Sequence, residues 1–405
     1  LIIKIALVIK KIVMTEIIKE ILEKIYFNTK DQGNDSSLMS GKAGELIFKY
    51  LYLKHFKVAD AESDFQNSIQ SVVDKSRNYH LPTFCGGKSG INWAFAFLHK
   101  NEILDKEDFD LLRADDEKLS KIAIWMLEKD NYDFLHGAIG IGYSLLYSRG
   151  ENFSPFFVNF FDLFEKILDK SSDKQSIPYY DFQTNQIITN KVNLGLAHGI
   201  PSVLKFSLQC YVQNVNKKEA KAMAVMVSEY LINHINKDIS SNYFASIISI
   251  DTDDYDPKSR LAWCYGDLGI GFILFQAGLI LKKKEITNLA LEILMQTIKR
   301  VNLSEALIFD AGICHGSSGV AHIYHKMWQY TKNIAFKEAC NFWMAKTIDF
   351  YLRKDGLDGF RKFNPRSNSY EENNSLLEGK CGIGLVLLSY LTEDFSWDYC
   401  LMLNN

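Results

Sequence analysis

The chain has 405 residues, 47% of them hydrophobic, enough apolar material for a substantial buried core. Its 46 Lys and Arg are balanced by 49 Asp and Glu, for a net charge of −3 without a long block of either sign, so it carries no nucleic-acid footprint. Seven cysteines, at positions 85, 210, 264, 314, 340, 381 and 400, lack any short regular spacing, which excludes a secreted disulfide scaffold and favours a reducing compartment, the cytoplasm.

Residues 1–13, LIIKIALVIKKIV, are apolar but interrupted by lysines, too short to span a bilayer and without a small-residue cleavage site. They read as an upstream extension, with a signal peptide or membrane-tethering helix as the alternative, and residues 14–405 as one domain. An amphipathic helix is predicted over 15–27, followed by the polar linker KDQGNDSS. From there a short phrase recurs, two glycines in a G-x-x-G frame opening a strongly apolar run. It stands at Gly41/Gly44, Gly87/Gly90, Gly137/Gly140, Gly266/Gly269, Gly316/Gly319 and Gly379/Gly382, and at Gly199 with Ser202 replacing the second glycine. Seven copies make an internal repeat. Amphipathic helices are predicted over about 107–128, 153–168, 217–235, 284–299 and 335–352. Residues 60–82, 171–195, 238–259 and 354–375 read as polar connections, the first with a helix in its middle and the second with short runs such as 186–189 that suit small strands.

Each unit is thus a glycine turn, a helix apolar on most faces, a linker and a more amphipathic helix. A helix that is apolar all round is buried, and one with a single apolar stripe faces solvent on its other side. Alternating the two predicts an all-α fold of concentric inner and outer helices closed on themselves. The anchor spacing varies from 46 residues (Gly41 to Gly87) to 67 (Gly199 to Gly266), so in a closed ring the insertions surround the mouth of a central cavity.

Residues at one offset from the frame should sit at one height. Aligning the units stacks Cys264 on Cys314 and Tyr265 on His315, so Cys264, Cys314 and His315 are expected to converge. Two thiolates and an imidazole suit Zn²⁺ and leave a fourth position open, as catalytic sites do; buried core cysteines with a satisfied histidine are the alternative. His136 and His198 also stand directly before frame glycines, Arg260 lies four residues before Cys264, and Asp133 four before Gly137. His198 has three readings, a fourth zinc ligand, a proton donor or a packed core histidine, and the first would close the metal to a substrate. A histidine, an arginine and a carboxylate beside an open zinc position suffice for thiol activation and acid–base work.

The run from Arg260 through WCYGDLG (263–269), with CHGSSG (314–319), AHGIPS (197–202) and LLEGKCG (376–382), resembles the lanthionine synthetase C-like family, the cyclases of lantibiotic biosynthesis. The likeness covers all seven units, residues 39–390. It implies a closed α/α toroid, a double ring of seven inner and seven outer helices. It implies zinc held by Cys264, Cys314 and His315, binding a peptide thiol that adds to dehydroalanine or dehydrobutyrine to close a thioether ring. His198 then matches the acid–base histidine, with Asp133, Arg260 and Tyr265 as its supporting catalytic residues. The implied partners are a dehydrated precursor peptide and a complex with a dehydratase and a transporter, with at most peripheral membrane association. A relative adding glutathione or other thiols to dehydrated residues would keep the same site, and a zinc-containing peptide-binding scaffold would keep it without catalysis. Three departures stand out: Ser202 in the frame, expected to alter that turn slightly; a strand insertion reduced to 171–195 or absent; and Cys85, at the same offset as the two ligand thiols, which with Cys381 lies close to a frame glycine and reads as an unliganded core or cavity thiol, with a substrate-facing role as the alternative.

Overall fold

The computed structural model describes residues 2–29, 35–59, 61–77, 79–113, 115–149, 154–169, 177–236, 238, 242–249, 256–352 and 359–404. Linker residues 30–34, residues 171–176, the aspartates at 251, 253 and 254, and residues 354–358 lie outside the described set. The chain divides into two compact units. One comprises Leu1–Ser36, Ser40–Lys75 and Phe309–Trp397, the other Ser37–Met39, Ser76–Ile308 and Asp398–Asn405.

In chain order the helices are α1 (Ile2–Asn28), α2 (Lys42–His55), α3 (Ala61–Ser76), α4 (Lys88–Lys100), α5 (Lys106–Leu112), α6 (Asp116–Glu128), α7 (Ala138–Arg149), α8 (Ser154–Asp169), α9 (Ile200–Val212), α10 (Lys217–Asn233), α11 (Asp267–Ile280), α12 (Lys284–Thr297), α13 (Leu303–Ala306), α14 (Ser317–Thr331), α15 (Ile334–Tyr351) and α16 (Lys380–Thr392). Six short strands, β1 (Tyr179–Asp181), β2 (Gln186–Ile188), β3 (Lys191–Asn193), β4 (Ile247–Ser249), β5 (Lys362–Asn364) and β6 (Ser369–Glu371), pair antiparallel as β1–β2, β3–β4 and β5–β6.

Seven helices, α2, α4, α7, α9, α11, α14 and α16, begin at the residue after a frame glycine. They are the ones buried on most faces. Every residue of α11 from Asp267 to Gly278 is buried, whereas α12, which packs on it, buries only the stripe Ile286, Ala290, Ile293, Leu294 and Thr297. In the first unit α15 packs on α14 and α1 on α16, with Ile18, Ile21, Leu22 and Ile25 of α1 buried as the periodicity predicts. That helix runs back to Ile2 rather than starting at 15.

The single helix expected over 107–128 is two. Arg113, almost wholly buried, donates from Nε and Nη2 to Oδ2 of Asp116 at 2.9 and 2.6 Å, and Asn92 of α4 donates to the other carboxylate oxygen at 2.9 Å. The pair is buried with α4 and so ties the junction between α5 and α6 to the core, where leaving either charge unpaired would be costly.

A frame glycine has no side chain with which to cap a helix, so the first N–H must find another acceptor. It finds the carbonyl of the residue six before the glycine: Lys42 donates to Asp35, Lys88 to Leu81, Ala138 to Asn131, Ser317 to Asp310 and Lys380 to Asn373, at 2.7–3.2 Å. Asn131, Asn193, Asp310 and Asn373 then accept the N–H two residues on through Oδ1, an Asx turn in each case. Neighbouring turns are joined through the residue two before the glycine. Met39 donates to Cys85 at 3.1 Å, Cys85 to Leu135 at 2.9 Å, Ala197 to Cys264 at 3.4 Å and Cys314 to Leu377 at 3.0 Å, all backbone to backbone. This ladder is the repeat register made physical.

Within the second unit the segment after Trp397 is buried against α4, α7, α9 and α11. Trp263 donates from Nε1 to the carbonyl of Leu401 at 2.8 Å, and the buried Lys205 donates to Gln276 and to the carbonyl of Asn404 at 2.7 and 2.6 Å.

Candidate active site

His198 is presented by the turn before α9 and Asp133 by the turn before α7. Asp133 is fully buried. Its Oδ1 accepts the His136 N–H at 2.7 Å, and its Oδ2 lies 2.7 Å from Nδ1 of His198. An ionised carboxylate can only accept, so Nδ1 carries the proton and Nε2 is the ring atom left for chemistry. Burial works against a charged His198, but the charge and hydrogen bond of Asp133 outweigh it, and the pKa lies above the ordinary histidine value. For His136 burial prevails over Asp133 and lowers the pKa. Of the two histidines, His198 is the better proton carrier near neutrality.

Tyr265 is half-buried, and its hydroxyl accepts a hydrogen bond from Asn193 Nδ2 at 3.1 Å. Burial pushes its pKa far up, so it stays a neutral phenol. Gly195 makes room for it, since a Cβ there would overlap the Tyr265 ring and approach the Cys264 carbonyl to 2.9 Å. The turn carrying Cys264 and Tyr265 differs from the other frame turns in its glycine and, like the turn at Leu81, lacks an Asx residue. Arg260 occupies the Asx position and cannot accept a hydrogen bond, and Gly266 takes φ +88°, in the left-handed region. Arg260 itself is half-buried at the start of that turn, and among the described residues the hydrogen bonds around His198 run to Asp133, not to Arg260.

Cys264 is buried, Cys314 and His315 are half-buried, and the ligand atoms of the three lie within 4.8 Å of one another. They were singled out by register alone. Two sulfurs and one imidazole nitrogen this close fit a zinc ion with room for a fourth ligand. Beside His315 stands Glu378, with Oε1 4.0 Å from Nε2, and its Oε2 is held by Lys362 of β5 at 2.7 Å. Glu378 also precedes a frame glycine, so the repeat register marked it, although its role was not read from the sequence.

Ser202 leaves the start of α9 in place: its Oγ donates to the Gly199 carbonyl at 2.7 Å within the first turn. Cys85 is half-buried and Cys381 fully buried. Sequence reading missed three residues of this region. Asp267, in the WCYGD run, is a buried anchor whose carboxylate accepts the N–H of Phe244 at 2.9 Å and of Tyr243 at 3.2 Å. Asn193 orients Tyr265, and the Asx residue recurring six before the frame glycine was the available signal. Phe182, at the turn of the β1–β2 hairpin, stacks on His198; nothing in its sequence surroundings marked it.

Seven glycine-framed buried helices, each followed by a connection and most by a more exposed helix, define a helical-repeat protein. The chain belongs to the lanthionine synthetase C-like protein family, whose model matches residues 32–402. It is 22% identical over 369 residues to the nisin biosynthesis protein NisC of Lactococcus lactis subsp. lactis, covering 84% of this chain and 82% of that one. The solved structure of a nisin cyclase superposes with a TM-score of 0.72 at 17% identity, covering 95% of this chain and 96% of that chain. That likeness shows the fold, an α/α toroid. No helix among the described residues is long and apolar enough to cross a membrane.

Proposed function

We propose that the chain is a zinc-dependent peptide cyclase that adds cysteine thiols to dehydroalanine or dehydrobutyrine within a dehydrated precursor peptide, forming lanthionine or methyllanthionine. The observation that carries this reading is the 2.7 Å contact between His198 and Asp133, a proton-transfer couple in a family to which a nisin cyclase is the structural likeness. Residues 14–405 act in it as one catalytic domain, in the cytoplasm, with a dehydratase and a transporter as partners in a complex.

Cys264, Cys314 and His315 are the residues that would hold zinc, and zinc bound there would lower the pKa of a substrate thiol so that it reacts as thiolate at neutral pH. In the addition the sulfur forms a bond to the alkene β-carbon and the alkene electron pair moves towards the carbonyl, leaving an enolate. His198 delivers the proton from Nε2 to the α-carbon, and the proton released by the thiol restores the imidazolium, so the addition balances without another reactant. Asp133 keeps the ring charged and oriented, and Arg260 offsets negative charge on the enolate. Tyr265, neutral and fixed by Asn193, supplies a hydroxyl beside His198.

The test is incubation with a dehydrated peptide followed by thiol alkylation and mass analysis. Cysteines that become resistant to alkylation without a change of mass support cyclisation. Peptide that binds while every thiol stays alkylatable points to a scaffold, and a mass gain from added glutathione points to intermolecular thiol addition.

A further inference from the structure

The rings of Phe182, His136 and His198, from three separate segments, pack together. Phe182 stacks on His198 with centroids 4.6 Å apart and planes inclined by 20°, and on His136 at 4.8 Å and 25°. The two imidazoles are 5.6 Å apart and parallel to within 5°. Phe182 therefore overlies both histidines, although its own outer surface is 43% exposed.

The hairpin that presents it is firmly built for its length. Tyr179, Tyr180 and Asp181 pair with Ile188, Ile187 and Gln186. Asp181 accepts the Gln183 N–H at 3.0 Å and the Thr184 hydroxyl at 2.9 Å, Tyr180 donates to Asn185 at 2.6 Å, and Asn185 takes the left-handed φ of 57° that closes the turn. A side chain at such a turn normally points to solvent. Here it lies against a buried imidazole whose Nδ1 edge is already fixed by Asp133.

An edge contact alone leaves a ring free to tilt about it, and a face contact removes that freedom. We infer that Phe182 is a positioning residue: by covering His198 and His136 it fixes the plane of the His198 ring and keeps water from that face. The α-carbon then receives its proton from Nε2 rather than from solvent. The residual β1–β2 hairpin thus serves the chemistry, as a cover for the proton donor. The inference rests on the cyclase reading above.

The experiment compares Phe182→Ala and Phe182→Tyr with the parent, each loaded with zinc and checked by melting. Modification by diethyl pyrocarbonate, mapped by mass, reports the accessibility of His198 and His136 whether or not the chain is a cyclase. Phe182→Ala should be modified faster at both histidines and Phe182→Tyr at the parental rate. On a dehydrated peptide, Phe182→Ala should close rings about 2- to 12-fold more slowly, the size of one aromatic contact, and give a mixture of lanthionine diastereomers. Phe182→Tyr should keep one diastereomer. Unchanged modification of His198 in Phe182→Ala overturns the cover, and faster modification with parental stereochemistry overturns its role in proton delivery. A parent that closes no rings on that peptide fails the cyclase reading, and the modification rates still decide the cover.

Discussion

Asp133 and His198, held by the turns before two different helices, share one hydrogen bond of 2.7 Å, and Asp133 spends its other oxygen on the N–H of His136. The carboxylate therefore organises both histidines while charging only one. His198→Asn should keep its zinc and near-parental melting while cyclisation falls about 10²- to 10⁴-fold, the range for losing a positioned proton-transfer group. Chiral analysis of the product should show lost stereocontrol. Parental rate and stereochemistry would move the role to His136 or Tyr265.

The same couple sets a pH dependence. Asp133 raises the His198 pKa, so the protonated donor persists to higher pH than in an ordinary histidine. Asp133→Asn removes that support and leaves burial, which opposes charge. The alkaline limb of the rate profile should then move to lower pH. A limb that stays in place or moves upward excludes His198 as the titrating donor.

Alanine at Cys264, Cys314 or His315 should strip or greatly weaken bound zinc. Elemental analysis of the three purified variants checks this, and a full complement of zinc in all of them contradicts the ligand set. Arg260→Ala should retain zinc yet slow ring closure by about 10²-fold if the guanidinium offsets enolate charge. A surface role would instead show as a stability change of at most about 1 kcal/mol with no effect on rate.

Gly266 combines φ +88° with a position where a Cβ would overlap the Arg260 carbonyl oxygen and come within 2.7 Å of Ser259 Oγ. Gly266→Ala should destabilise by about 1–3 kcal/mol. Gly86→Ala is the control. A Cβ there meets nothing within 4 Å, and its effect should stay within about 0.5 kcal/mol. Urea unfolding of both variants makes the comparison.

Asp394 gathers Lys54 at 2.8 Å, His55 at 3.1 Å and both the hydroxyl and the amide of Ser396 at 2.6 and 3.0 Å. Burial raises its pKa, but these donors outweigh it and hold the carboxyl far below the usual range. A folded pKa below the unfolded one means that the stabilisation is complete above the unfolded value and fades as pH falls through it. Asp394→Asn should cost about 1–2 kcal/mol at neutral pH, allowing for its partial exposure. The gap between parent and variant should begin to narrow below about pH 4 and close only as pH falls through the much lower folded value. A gap that persists in acid would assign the effect to lost packing.

The seven buried helices were legible because each is announced by a glycine that close packing demands. The proposed zinc ligands Cys264, Cys314 and His315 were legible because they stand at or next to one offset from their frame glycines. The strands were harder. Three residues are too few to show a two-residue period, and β3 finds its partner β4 across the long excursion containing α9 and α10. The break between α5 and α6 was hidden for another reason. Arg113 and Asp116 read as exposed helix-face charges until α4 supplies Asn92 to share their burial. Phe182 belongs to the same class, since only tertiary proximity to His198 gives it meaning.

The bonds from Met39 to Cys85, Cys85 to Leu135, Ala197 to Cys264 and Cys314 to Leu377 are made of main-chain atoms and ask for no particular side chain. Support and chemistry are therefore separately heritable. A lineage can gain or lose a thiol at one rung by a single codon change while the framework beneath it stays intact. Cys85 is a third thiol at this offset, outside the proposed ligand set. The connections between rungs, meanwhile, are free to lengthen, so reactivity and substrate reach can drift along independent evolutionary paths.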